Sequence, residues 1–363
     1  MDNESRNILS SAECAALRGI AIMGIFLHNY CHWLPGMVQE NEYQFFEHNV
    51  QWLDSVMSGG WNEQIPFHII SFFGHYGVPI FLFLSAYGLV LKYESNQSSP
   101  RPWSFVLYHW KKLFRMMIVG FVAFTMIDAI TSGSHRYEVI DIVAQLGLLN
   151  NLLPRPDAII WPGPYWFFGL MLQLYIIYRL LLFRRHWAWT VVLIIVCTAI
   201  QMTCNPEGEA LNRWRYNFVG GMLPFGAGLL YARHMKPVGR WFNLLVLAVS
   251  LVGIWFLGRS FHTWFIVPLL VCSAGISLVK LLSEPYRITI LDKLNALFMR
   301  VAVWMGGISA VLFVCHPITR KIFIGISKDG NLFVGIMLYI VTSLCLAWLF
   351  KELMKRIPSP KLK

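Results

Sequence analysis

Residues 72–91 read FFGHYGVPIFLFLSAYGLVL, twenty positions without an Asp, Glu, Lys or Arg. A helix needs about 20 apolar residues to cross the hydrocarbon core of a bilayer, and this run meets that length. Working outward, similar blocks recur at 15–33, 105–127, 165–183, 187–202, 218–231, 241–257, 263–281, 301–318 and 333–350. Together they use most of the 363 residues, of which 56% are hydrophobic and 13% charged. A soluble domain carries about a quarter charged residues. The blocks therefore predict an all-α, polytopic transmembrane helix bundle of about ten helices, with the lipid bilayer as its surroundings. One membrane domain is expected over 1–353, followed by a basic tail over 354–363.

Lys and Arg orient this bundle. With the N-terminus inside, twenty-one of the 30 fall on inner segments and helix edges. Eight fall outside: Arg136, Arg155, Arg213, Arg215, Arg259, Arg320, Lys321 and Lys328. Arg18 lies within the first span. Short-loop Lys/Arg asymmetry sets topology, so both termini are predicted to be cytoplasmic. Gln97 and Arg184 should then lie inside, and Glu42 and Gly208 outside.

The net charge of +11 follows from this flanking. No basic stripe or binding motif stands apart from the helix ends, which argues against nucleic acid as a partner. The seven cysteines are scattered, with no CxxC pair or metal-ligand spacing, so neither a disulfide framework nor a metal site is expected. The start, MDNESRNILSSAEC, leads into a span that carries Arg18 and does not read as a cleavable signal. The longest connection, 34–71, holds Glu40, Glu42, Glu47, Asp54 and Glu63 and no Lys or Arg. With its aromatic residues it is expected to lie on the outer surface or fold back as a cap. The tail KELMKRIPSPKLK (351–363) suits anionic lipid at the inner face.

The first span contains LRGIAIMGIFLHNYCHW (17–33). Ionisable residues inside a span are costly, and their default reading is functional. His28 stands ten residues after Arg18, about 15 Å along the helix axis, which places it in the outer half of the membrane. His75, Tyr76, Trp166 and His316 recur at matching depth and are candidates to line an outward-facing cavity around His28. On the inner side Lys111, Lys112 and Arg115 fall within about 6 Å of axial rise. They suit a multiply charged phosphate ligand, and equally suit plain topological flanking.

LRGIAIMGIFLHN (17–29) resembles the opening motif of the acyltransferase 3 family, membrane acyltransferases that commonly modify bacterial surface glycans. GHYGVPIFLFLSAYGLVL (74–91), YHWKKLFRMM (108–117), YWFFGLMLQLY (165–175) and MGGISAVLFVCHPI (305–318) resemble further blocks of that family in the same order. The resemblance covers the chain from Leu17 to about Ile318. The chain departs from the family pattern in having nine residues between Arg18 and His28 where ten are usual. At 100° per residue, ten steps leave the two side chains about 80° apart around the helix. Ala86 also replaces a usual glycine, and lysines replace common arginines at 111 and 112.

The resemblance implies an O-acyltransferase, by default an O-acetyltransferase, of the bacterial cytoplasmic (inner) membrane. It implies acyl-CoA as co-substrate, with acetyl-CoA the default and no tightly bound cofactor. The acceptor would be a hydroxyl of a cell-surface or lipid-linked glycan. His28 and Arg18 become the catalytic candidates, and Lys111, Lys112 and Arg115 the donor-binding ones. His28 would act as general base or as a covalent acyl carrier. The competing reading is a transporter or flippase with a polar intramembrane pathway; a third is a sensor or anchoring protein in which these residues only pack.

Overall fold

The computed structural model describes residues 8–95, 99–285 and 289–362. Arg6, Gln97, Arg287 and Lys363, which the topology reading includes, lie outside the described residues. Every regular element among those described is helical. In chain order these are α1 (Ser11–Cys31), α2 (Glu47–Ser58), α3 (Ile65–Phe73), α4 (Gly77–Leu89), α5 (Pro102–Ile130), α6 (Val139–Gly147), α7 (Pro156–Ile159) and α8 (Trp166–Ile177). They continue with α9 (Trp187–Met202), α10 (Glu209–Tyr216), α11 (Phe218–His234), α12 (Arg240–Leu257), α13 (Phe261–Trp264), α14 (Val267–Ser283), α15 (Thr289–Lys328) and α16 (Leu332–Arg356).

Among the described residues, seven helical stretches are long and apolar enough to cross a membrane: Ser11–Cys31, Ile65–Glu94, Pro102–Ile130, Gly163–Leu182, Arg240–Leu257, Ile290–Lys328 and Leu332–Arg356. The shorter α9 and α14 are also apolar, and the block at 218–231 falls in α11. The lipid-facing pattern is plain on α12. Its buried residues are Asn243 and Ser250, while Leu245, Val249, Val252 and Phe256 are exposed. A helix that turns polar groups inward and apolar ones outward is stable only where the surrounding solvent is hydrocarbon. The chain is a multi-pass membrane protein.

Several boundaries differ from the apolar blocks. The block at 72–91 is the middle of a 30-residue rod, Ile65–Glu94. Pro66 opens it, in the first turn where its missing N–H costs nothing. A 3₁₀ turn at Gly74–Tyr76 joins α3 to α4. The block at 301–318 sits inside the 40-residue α15. The first turns of α15 carry Asp292, Lys293 and Arg300, so the helix continues past its apolar part where hydropathy alone stops. The division expected between 353 and 354 falls within α16, which runs to Arg356.

α1 is the central element. Ser10 and Glu13 form a capping box at its start, and Glu13 pairs with Lys280 at the end of α14 at 3.0 Å. α1 then packs along α15 on one side and against the turn between α3 and α4 on the other. Both contacts are backbone to backbone. A methyl group at Gly19 would overlap the Ala302 carbonyl, and one at Gly306 the Ala15 carbonyl. One at Gly77 would overlap the Ala21 carbonyl, and one at Gly74 would meet the Gly24 oxygen and the His28 Cβ. Small residues that let helix backbones touch are the usual means of tight packing in membranes. Here they set α1, and His28 with it, at a fixed position between two neighbours.

Candidate active site

His28 lies near the end of α1 and is 3% exposed. Its Nδ1 donates to the Ser71 carbonyl at 2.8 Å. A carbonyl can only accept, so this bond fixes the neutral ring as the tautomer with a bare Nε2. The Ser71 hydroxyl in turn donates to the Val38 carbonyl at 2.6 Å, and the Val38 amide donates to His68 Nδ1 at 3.2 Å. These bonds tie the segment after α1 back over α3. The acidic connection thus folds back over the site, one of the two placements its composition suggested.

The fold-back brings Glu40 to the ring. Glu40 Oε1 stands 4.0 Å from His28 Nε2. His32 Nδ1, one turn after His28 on the same helix, donates to both Glu40 oxygens at 3.1 and 3.2 Å. The Glu40 backbone is held by Asn49 of α2 at 3.1 Å. Burial raises the Glu40 carboxyl, but the facing His32 and His28 more than offset this and hold it well below the usual carboxylate range. Its neighbour Glu42 behaves oppositely: burial, with Glu40 nearby, pushes it up to about 8. The Glu42 carbonyl accepts from Arg215 Nε at 2.9 Å, which joins this segment to α10.

His28, His32, Glu40 and Glu42 line a cavity of about 220 Å³ together with His75, Trp33, Tyr43, Trp161, Trp166 and Arg320. The His75 ring lies 5.6 Å from the His28 ring, and both of its nitrogens are buried without a hydrogen-bond partner among the described residues. Tyr43 stacks on Tyr216 at 4.0 Å and meets Trp166 edge-on at 5.5 Å. Trp33 and Trp161 meet edge-on at 6.3 Å. The walls are therefore aromatic and the floor is ionisable. Ligand sites have this form, an apolar lining with a few convergent polar groups.

Of the residues singled out in the sequence, His28, His75 and Trp166 meet at this cavity. Tyr76 lines a smaller adjoining space with Glu42 and Arg215. His316 is fully buried behind the wall, its Nδ1 on the Leu312 carbonyl at 3.1 Å and its ring against Phe26 and Phe313. Arg18 sits further along α1, half-buried and without a hydrogen-bond or ion-pair partner among the described residues. Because α1 is one uninterrupted helix, Arg18 and His28 keep the angular offset that their spacing implies.

Lys111 and Lys112 are exposed on α5. Arg115 is occupied: its Nη2 donates to the Met354 and Ile357 carbonyls at the end of α16, groups that no helical N–H can reach. The other end of α16 lies at the His28 end of the bundle, where Ser327 and Tyr30 bond at 2.7 Å. The cations of α5 thus stand at the opposite end.

His32, Glu40 and Arg320 were missed by sequence reasoning. The His-x-x-x-His spacing of 28 and 32 was a usable signal, since residues four apart share a helix face. The ligand atoms of His28, His32 and Glu40 all lie within 4.8 Å of one another, a set whose donors suit a divalent ion. In the present geometry His32 and Glu40 satisfy each other directly.

No curated protein and no solved structure gives a significant match to the chain. A family model does match it: the acyltransferase 3 model, described as an acyltransferase domain, aligns with residues 14–352. Its span contains α1 with His28, the fold-back segment with Glu40, and α15 with Arg320. On that match, which takes in nearly the whole chain, the protein belongs to the acyltransferase 3 family of membrane acyltransferases.

Proposed function

We propose that the protein is an O-acyltransferase of the bacterial cytoplasmic membrane that moves an acyl group, acetyl by default, from cytoplasmic acyl-CoA to a glycan hydroxyl. In this reading ten helices cross the bilayer, both termini are cytoplasmic and the His28 cavity opens outward. Lys111 and Lys112 meet the nucleotide phosphates of the donor at the inner face.

One observation carries the reading. The His28 ring is held through Nδ1, and its unprotonated Nε2 borders the cavity beside Glu40. An acceptor hydroxyl seated there gives its proton to Nε2 as its oxygen attacks the thioester carbonyl. The C–O bond forms, the C–S bond breaks, and the proton passes from the imidazolium to the departing thiolate. Glu40 offsets the imidazolium charge, and its own charge is steadied by His32. An imidazole nitrogen with a free lone pair, oriented by the bond at the other nitrogen, suits this transfer. The aromatic walls suit the C–H faces of a sugar ring. The cavity is smaller than the roughly 300–1,000 Å³ of drug-sized pockets, which fits one sugar unit better than an oligosaccharide.

Mass spectrometry of surface glycan from cells with and without the gene tests the reading. The expected difference is the mass of one acyl group per modified residue, restored by the wild-type gene. Identical glycan, with the protein present in the wild-type membrane, would overturn it.

A further inference from the structure

We propose that the acceptor is an acidic sugar, and that Arg320 holds its carboxylate next to the hydroxyl presented to His28. The proposal rests on the acyltransferase reading of the cavity and adds to it the chemical class of the acceptor.

Arg320 lies late in α15 and is 6% exposed. Its Nη1 donates to the Asn29 carbonyl at 3.1 Å and to the Asn29 side-chain oxygen at 3.3 Å. Its guanidinium lies 4.9 Å from the centre of the Trp33 ring. These contacts use one corner and one face. Nε and Nη2 have no protein acceptor among the described residues, and Arg320 is one of the residues that line the cavity. No carboxylate pairs with Arg320 among those residues.

Several other half-buried cations pair with carboxylates. Arg233 meets Glu94 at 2.6 Å, Lys321 meets Asp128 at 2.9 Å and Lys280 meets Glu13 at 3.0 Å. Arg115 is spent on helix carbonyls. A buried charge is retained only when something compensates it, and at Arg320 the protein supplies two neutral oxygens on one side only. The open side is a planar fork of N–H donors, the shape that binds a carboxylate through two parallel bonds.

The acids of the cavity do not compete for this fork. Glu40 is engaged by His32, and Asp157 is exposed. Glu42 lies beside a different cation, Arg215, whose Nε donates to the Glu42 carbonyl at 2.9 Å. Position connects the fork to the chemistry. Arg320 is held by Asn29, the residue next to His28 in α1, so a ring whose carboxylate rests on Arg320 can turn a neighbouring hydroxyl towards Nε2. A single cation favours a single negative charge, which selects a uronate-like carboxylate over a phosphate dianion.

The test uses the full chain in nanodiscs and reads binding by the fluorescence of the cavity tryptophans. Four probes are titrated: methyl glucuronide, its neutral methyl ester, methyl glucoside and glucose 1-phosphate. Wild type should bind methyl glucuronide about tenfold or more tightly than the ester or the glucoside, the worth of one charge-assisted hydrogen bond. Arg320→Gln should remove that preference and leave the two neutral probes unchanged, and Arg320→Lys should recover part of it. Equal wild-type binding of acid and ester overturns the proposal, and needs no variant to fold. So does an equal loss for all probes in Arg320→Gln, or an Arg320-dependent gain seen with glucose 1-phosphate alone. His28→Gln should keep the preference for methyl glucuronide while losing transfer. Transfer that survives in His28→Gln would refute the role of His28 and leave the carboxylate site standing.

Discussion

Around His28, side chains from α1, the segment after it, the turn before α4 and the end of α15 converge on one cavity, although more than 290 positions separate His28 from Arg320 in the chain. Lys111, Lys112 and Arg115 are neighbours in sequence and part company in space. Two are exposed on α5, and the third is consumed by the end of α16. The first region concentrates charge where water is scarce and partners are fixed. The second spreads it where a mobile, highly charged ligand or lipid headgroups can meet it. A cluster in sequence is therefore weak evidence of a site, and a set of buried groups facing one space is stronger evidence.

The largest effect should come from the convergent region. His28→Gln keeps volume and hydrogen bonding but cannot take a proton, so transfer should fall by about 10²–10⁴-fold, the usual worth of a general base. Thermal stability and donor binding should stay near wild type. Activity close to normal at limiting enzyme would remove the basis for placing the chemistry at this end.

Glu40→Gln comes next. It leaves the backbone tie to Asn49 in place and removes the charge facing His28 and His32. Loss of one charge-assisted interaction, about 1.5–3 kcal/mol, corresponds to a fall in kcat of roughly 10- to 100-fold. The donor KM should hold. A change in KM alone would recast Glu40 as an acceptor contact.

At the other end the comparison divides one sequence motif in two. Lys111→Gln with Lys112→Gln should raise the donor KM several-fold, with no change in melting temperature. Arg115→Gln should lower the melting temperature, because it strips the last carbonyls of α16 of their donor, and should leave donor affinity less affected. The reverse assignment of the two effects would return Arg115 to the donor site.

The smallest effect concerns Glu42. Its carboxyl is raised to about 8 in the folded protein against about 4.5 when unfolded. Between those values the folded form holds a proton that the unfolded form has lost, so this group lowers stability as pH rises through the window. Glu42→Gln should flatten the fall in melting temperature between pH 5 and pH 8. Glu40, whose carboxyl is lowered, contributes in the opposite sense, and only below the usual carboxylate range. A pH profile unchanged in Glu42→Gln would mean that Glu42 is ionised at neutral pH.

The membrane helices were legible because hydropathy is a local property, and most apolar blocks fall within a helix, though the block at 263–281 takes in the turn between α13 and α14. Their ends were less so: the first turns of α15 are amphipathic, and the apolar IPFHIISFF before residue 74 is part of the helical rod that the block at 72–91 only samples. His28 was legible as an ionisable group inside a span. Glu40 was seen only as one acid of an acidic connection, because its value depends on Ser71 and Val38 drawing that connection back across α3. Arg320 was counted among the outer flanking charges. Lys/Arg sorting reads depth along a helix and is blind to rotation about it, and rotation is what turns Arg320 inward. The glycines of LRGIAIMG and MGGIS carried the resemblance without their reason, which appears only when α1 and α15 are seen touching.

Where two helices meet through side chains, one can slide past the other by exchanging rotamers. Between α1 and α15 there is no such layer at Gly19 and Gly306: the carbonyl of one helix rests on the α-carbon of the other. The turn at Gly74 and Gly77 closes the opposite flank in the same manner. A rocking transporter needs a seam that parts midway through the membrane, and these two seams offer nothing that can give. His28 and Arg320 ride on the joined pair. In the proposed mechanism, then, both reactants have to travel to a site set between two closed seams.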